Sequence, residues 1–141
     1  MSRIRCYEAA ALGLSLCLSA AAFAADLPPL RKGMWEFVRT VDGQGAGGKP
    51  VTLTRKACTD PSADMKRNNE MLAKSACKFS APSSKGNVYT FSAECPMQGV
   101  AVQSQSVLTF QSDSSYSAQI TSSGGGKSTK ELLVAKRLGD C

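Results

Sequence analysis

The 141-residue chain contains no histidine, which removes the side chain most used as a general base and as a zinc ligand. Aromatic residues are few, with one tryptophan, three tyrosines and five phenylalanines. They do not interleave with the basic residues, which argues against nucleic acid as a partner. No Cys-x-x-Cys pair occurs, so neither a zinc knuckle nor thioredoxin-like exchange has its usual framework. No nucleophile elbow is present either. Gly124-Gly125-Gly126-Lys127-Ser128 resembles the tail of a phosphate-binding loop without its first spaced glycine, and reads as a hairpin turn. Past the first two dozen residues there is no apolar run long enough to span a bilayer, so the mature chain is expected to carry no transmembrane segment.

What is present begins with a leader. Arg3 and Arg5 precede an apolar stretch around Leu12-Gly13-Leu14-Ser15-Leu16, and Ala22-Phe23-Ala24 supplies the small residues of a signal-peptidase site before Ala25. Residues 1–24 are therefore read as a secretory signal peptide, residues 25–141 as one small domain, and the location as periplasmic. Leu16 is too large to precede a lipidated Cys17, so Cys6 and Cys17 leave with the leader. Removing Arg3, Arg5 and Glu8 from the 17 basic and 11 acidic residues leaves 15 and 10, a net charge near +5. The basic residues are scattered, as on an ordinary solvated surface.

Cys58, Cys77, Cys95 and Cys141 form an even set in an oxidising compartment, the setting of a disulfide framework. Their wide spacing and the missing histidine leave no metal site to assign. Three pairings are open in principle. The economical choice is sequential, Cys58 with Cys77 around a helical excursion and Cys95 with Cys141 at the chain end.

The mature chain reads as mainly β (α+β), a twisted antiparallel meander or open barrel of about seven strands with one helix, disulfide-linked. Strand-like runs are Met34–Val41, Val51–Cys58, Cys77–Ala81, Val88–Cys95, Val100–Gln111, Ser115–Thr121 and Thr129–Lys136, rich in β-branched and aromatic residues or alternating in polarity. Between the second and third, Asp60 caps and Pro61 opens a helix running to about Lys74. Met65, Asn68, Asn69 and Leu72 share one side, a narrow stripe that suits a surface helix, with the methionines as packing residues.

Lys32-Gly33-Met34-Trp35-Glu36, the step Ala57-Cys58-Thr59-Asp60-Pro61, the later Cys77 and Cys95, and the ending Arg137-Leu138-Gly139-Asp140-Cys141 together resemble a family of small exported Gram-negative bacterial proteins, a domain of unknown function. The resemblance spans nearly the whole mature chain. It implies an envelope location and four paired cysteines, and carries over no catalytic residue.

For function, the residues favour a non-catalytic binding or accessory module without a cofactor. Trp35, Phe37, Phe79, Phe91 and Phe110 are the candidates either to line an apolar site on a curved sheet or to form its core. The partner would be an apolar small molecule or, in the alternative of a structural and interaction module, an envelope protein engaged through a strand edge. A histidine-free hydrolase using lysine-assisted serine chemistry ranks third. Asp60, Asp64 and Glu70 are explained by capping and a solvated helix face.

Overall fold

The computed structural model describes residues 26–43 and 46–141. The expected leader, its cut before Ala25, and Cys6 and Cys17 lie outside the described residues. The strands are β1 (Gly33–Val41), β2 (Val51–Thr59), β3 (Lys78–Phe79), β4 (Ser83–Lys85), β5 (Val88–Met97), β6 (Val100–Ser112), β7 (Ser115–Gly124) and β8 (Lys127–Gly139), with helix α1 (Pro61–Ala73) between β2 and β3. All pairings are antiparallel. The sheet is open, in the order β2-β1-β8-β7-β6-β5-β3, with β4 also on β5. Short turns make β5 through β8 a meander, and the β1–β2 hairpin adds to β8. The strand beyond the expected set is β4, three residues of the Pro82–Asn87 turn that pair with Thr90, Tyr89 and Val88. The glycine run at 124–126 is a hairpin turn, since Gly125 and Gly126 both take positive φ between paired β7 and β8.

Helix α1 starts where its capping chemistry places it. The Asp60 carboxylate accepts from the Ala63 backbone amide at 3.1 Å, and Pro61 occupies the first turn, where an amide would have no helical partner. The apolar stripe is as narrow as its sequence implies. Met65 packs on the core, whereas Met71 and Leu72 remain exposed. Because β2 and β3 are opposite edges of the main sheet path, the segment carrying α1 runs from one edge to the other, as a strap.

Strand register sorts the side chains. Phe37 pairs with Ala135, Ala135 with Tyr116 and Tyr116 with Phe110; Tyr89 pairs with Leu108 and Phe79 with Ala93. With the two-residue period of a strand, Trp35, Phe37, Phe79, Tyr89, Phe91, Phe110 and Tyr116 therefore share one face. The other face carries Thr52, Thr54, Thr90, Ser92, Gln103, Gln105, Thr109, Ser117, Gln119 and Thr121 on the same registers.

The core is confined to one part of the aromatic face. Leu30, Trp35, Phe110, Tyr116 and Ala135 form its buried cluster, with Leu27, Phe37, Met65, Tyr89, Leu108 and Leu133 packed around it. Rings touch in sequence: Tyr89 meets Phe110 edge-on at 5.5 Å, Phe110 stacks on Tyr116 at 5.9 Å, Tyr116 meets Trp35 at 5.9 Å and Trp35 stacks on Phe37 at 6.3 Å. Trp35 and Tyr116 belong to strands on either side of β8, and fully buried Ala135 is small enough to let them meet above it. The leading segment closes this region. The Trp35 indole donates to the Arg31 carbonyl at 2.9 Å, the Arg31 amide donates to Asp113, and the Leu30 amide donates to the Ser62 hydroxyl of α1.

The disulfides are Cys58–Cys141 and Cys77–Cys95, which corrects the expected pairing of Cys58 with Cys77 and Cys95 with Cys141. The reason is topological. Sequential pairing takes closeness along the chain as a guide, but β1 lies between β2 and β8, so that Met34 pairs with Cys58 on one side and Gly139 on the other. The chain end then reaches Cys58, with Cα atoms 5.8 Å apart. At the other edge, the β3–β5 register that sets Lys78 against Glu94 brings Cys77 opposite Cys95, at 4.1 Å between Cα atoms. The strap is thus stapled to the sheet on both sides of α1, each time through a different strand.

Candidate functional site

Between α1 and the aromatic face lies a cleft of about 480 Å³. Its sheet wall comes from one face of four strands: Phe37 and Arg39 of β1, Leu53 and Arg55 of β2, Tyr116 of β7 and Leu133 of β8. Its helix wall is Pro61, Asp64, Met65 and Asn68, whose spacings of one, three and four residues set them along one side of α1. Phe37, Leu53, Met65 and Leu133 make an apolar lining, with charged groups among them. The volume falls within the range of small-molecule sites.

Each charged group has a different set of partners. Arg39 forms a two-pronged pair with Glu131, at 2.5 and 2.7 Å, and this hydrogen bond, then the carboxylate charge, raises its pKa. Asp64 accepts from the Thr59 hydroxyl and pairs with Arg67. The Thr59 hydrogen bond is the main cause holding its carboxyl below the usual range, partly opposed by burial and aided by Arg67 and Arg55. Arg55 sets its guanidinium over the Phe37 ring, 5.4 Å from the centroid, and forms no ion pair with a carboxylate among the described residues. Burial, followed by the nearby Asp64 charge, pushes the Tyr116 hydroxyl up to about 12. It therefore lines the cleft as a neutral phenol at ordinary pH.

The five aromatics singled out from the sequence are distributed over this face. Trp35 and Phe110 lie in the buried cluster, and Phe37 lines the cleft while stacking on Trp35. Phe91 is half-buried farther along the face. Phe79 lies at the margin of a second concavity, about 690 Å³, whose other lining residues include Lys78, Ser92, Glu94, Gln103, Gln105 and Thr121. Sequence reasoning missed Arg39, Leu53, Arg55, Tyr116 and Leu133 as cleft residues. The available signal was alternation, since Phe37/Arg39 and Leu53/Arg55 are same-face pairs on adjacent strands. Met65 and Asn68, already grouped by their spacing, do line it together.

Among the described residues, no group of three or more cysteines, aspartates or glutamates is placed to hold a metal ion, and no helix is long and apolar enough to cross a membrane. The sequence segments most distinctive of this chain converge at the start of β1, beside the cleft. Gly33 pairs with Thr59 and Met34 with both Cys58 and Gly139. A Cβ on Gly33 would sit 2.3 Å from the Gly139 carbonyl oxygen and 2.7 Å from Arg137 Nε, so glycine is required by close approach. The largely buried Arg137 side chain donates to the Lys32 carbonyl at 2.9 Å and pairs with Asp140. These segments form a structural clamp.

A family model described as "Protein of unknown function (DUF3617)" matches residues 30–141, and the chain belongs to that family. No curated protein matches it, and no solved structure does.

Proposed function

We propose that this DUF3617 protein is a non-catalytic binding module of the periplasm, exported by cleavage before Ala25, which takes an apolar small molecule into the cleft between α1 and the sheet. The observation that carries this reading is the cleft itself, with Phe37, Leu53 and Leu133 of the sheet facing Met65 of a strap stapled on both sides. A strap so fixed keeps the lining pre-organised, which limits the ordering cost of binding. The compartment reading rests on the basic-then-apolar leader, the Ala22-Phe23-Ala24 site and the two disulfides. No step of chemistry is assigned to the cleft, because Arg39 and Asp64 are engaged in pairs and Tyr116 remains protonated.

Trp35 provides the readout. It is buried beneath the cleft and stacked on Phe37, which lines it. Protein recovered from the periplasm, with Ala25 as its first residue, is titrated with dodecanol and followed by tryptophan fluorescence and calorimetry, with Trp35→Phe as the control for the optical signal. The expected result is saturable binding at one site, with a Trp35 emission change absent from the control. No heat and no emission change across a series of apolar alcohols would refute the binding role. Turnover of a substrate, abolished by replacing a Ser or Lys in a folded protein, would establish an enzyme instead.

A second reading has its own observation. Among the described residues, the nine of β2 pair only with β1, leaving the outer side of that strand open to an added strand. Arg55 and Lys56 place two positive charges on this edge, a feature that discourages indiscriminate pairing.

A further inference from the structure

From the charge arrangement in the cleft we infer that its ligand is a single-chain anionic amphiphile, with Arg55 receiving the head group and the Phe37, Leu53, Met65 and Leu133 wall receiving the chain. This inference rests on the cleft being a binding site and adds the chemical class of what it binds. Three cations and two anions are tied to the lining. Arg39 is matched by Glu131, and Asp64 by Arg67 and Thr59. Among the described residues Arg55 remains as the guanidinium without a paired carboxylate, giving the site one positive charge in excess.

Its position suits the role. The Phe37–Arg55 register sets the side chain on the same face as the apolar wall, and the guanidinium carbon lies over the Phe37 ring, 5.4 Å from its centroid. A cation–π contact of this kind leaves the hydrogen bonds of the guanidinium unused. A carboxylate or phosphate at the mouth of the cleft accepts two of them, while the attached chain covers Phe37, Leu53 and Leu133. A neutral head would leave the charge unmatched, and a cationic head would add repulsion. Asp64, the acid in the lining, feels the Arg55 charge, but its hydrogen bonds go to the Thr59 hydroxyl and Arg67 and none goes to Arg55.

The test compares dodecanoate, dodecyl phosphate, dodecanol and dodecylammonium, all below micelle formation, on the wild-type protein, Arg55→Gln and Lys56→Gln. Lys56 is the neighbouring cation on the opposite face, paired there with Glu36, so its variant removes the same charge without touching the cleft. Both sites are exposed, and thermal unfolding verifies that each variant remains folded. The two anions are expected to bind roughly tenfold tighter than dodecanol, the order of a charge-assisted hydrogen-bond pair, with dodecylammonium weakest. Arg55→Gln should erase that preference, so that the two anions bind no tighter than dodecanol, and Lys56→Gln should keep it. Equal binding of all four amphiphiles, or a preference that survives Arg55→Gln or falls equally with Lys56→Gln, would overturn the head-group assignment and leave the apolar cleft standing. Failure of all four to bind would reject the cleft as well.

Discussion

At the start of β1 the aromatic face is closed over and cross-linked: Trp35 is fully buried, Arg137 lies against Gly33 and Lys32, and Cys141 is bonded to Cys58. Farther along the same face, Phe91, Ile120 and Val102 are only half-buried. Both regions use the same strands and the same alternation, yet one is a clamp and the other is accessible surface, with the cleft at their boundary. The difference teaches that burial in this fold is concentrated at one end. Three of the family-like segments are gathered at that end, where they hold the chain together, while Cys77 and Cys95 tie the far edge and the aromatic face between is only half-covered.

The largest test of this contrast removes one staple at a time. Cys58–Cys141 closes a separation of 83 residues and Cys77–Cys95 one of 18. Loop-closure entropy then assigns about 4.5 kcal/mol to the first and about 3 kcal/mol to the second. Urea unfolding of Cys58→Ser/Cys141→Ser and of Cys77→Ser/Cys95→Ser should reproduce that order, with non-reducing peptide mapping verifying the bonds. An equal or reversed order would mean that the chain-end clamp is not the dominant tie.

A second test compares rings. Trp35→Ala deletes the largest fully buried side chain and is expected to cost about 3 to 5 kcal/mol, as large core truncations do. Phe91→Ala, on the same face but half-buried, should cost about 1 kcal/mol, since part of its surface is already in water. Denaturation midpoints at constant slope measure both. Similar losses would erase the distinction between a closed end and an open one.

Much of this division was legible in the chain. Asp60 and Pro61 set the start of α1, strand alternation set the aromatic face, and the glycine run at 124–126 set its hairpin, because each is decided by local stereochemistry. The disulfide pairing was not legible, because it depends on β1 lying between β2 and β8, a neighbour relation no local pattern encodes. The cleft was half legible. Met65 and Asn68 were grouped by spacing, but Arg39 and Arg55 read as ordinary surface charges until register set them beside Phe37 and Leu133. A composition poor in aromatics disguised the fact that every described ring lies on one face.

A test that depends on pH lies at the boundary itself, in Tyr116, which touches Trp35 and Phe110 on the closed side and lines the cleft on the other. Its hydroxyl titrates near 10 in an unfolded chain and at about 12 here, with burial the main cause and Asp64 the second. Between those values the folded state binds the proton more tightly than the unfolded state, so stability falls with rising pH. The contribution is fully present below pH 10 and is lost as pH climbs through the folded value, amounting to at most about 3 kcal/mol. Tyr116→Phe keeps the ring stack and removes the titrating group. Urea unfolding from pH 9 to 12 should show a steeper alkaline decline in the wild type than in the variant. Parallel declines would show that Tyr116 is already open to solvent and that the closed region ends before reaching the cleft.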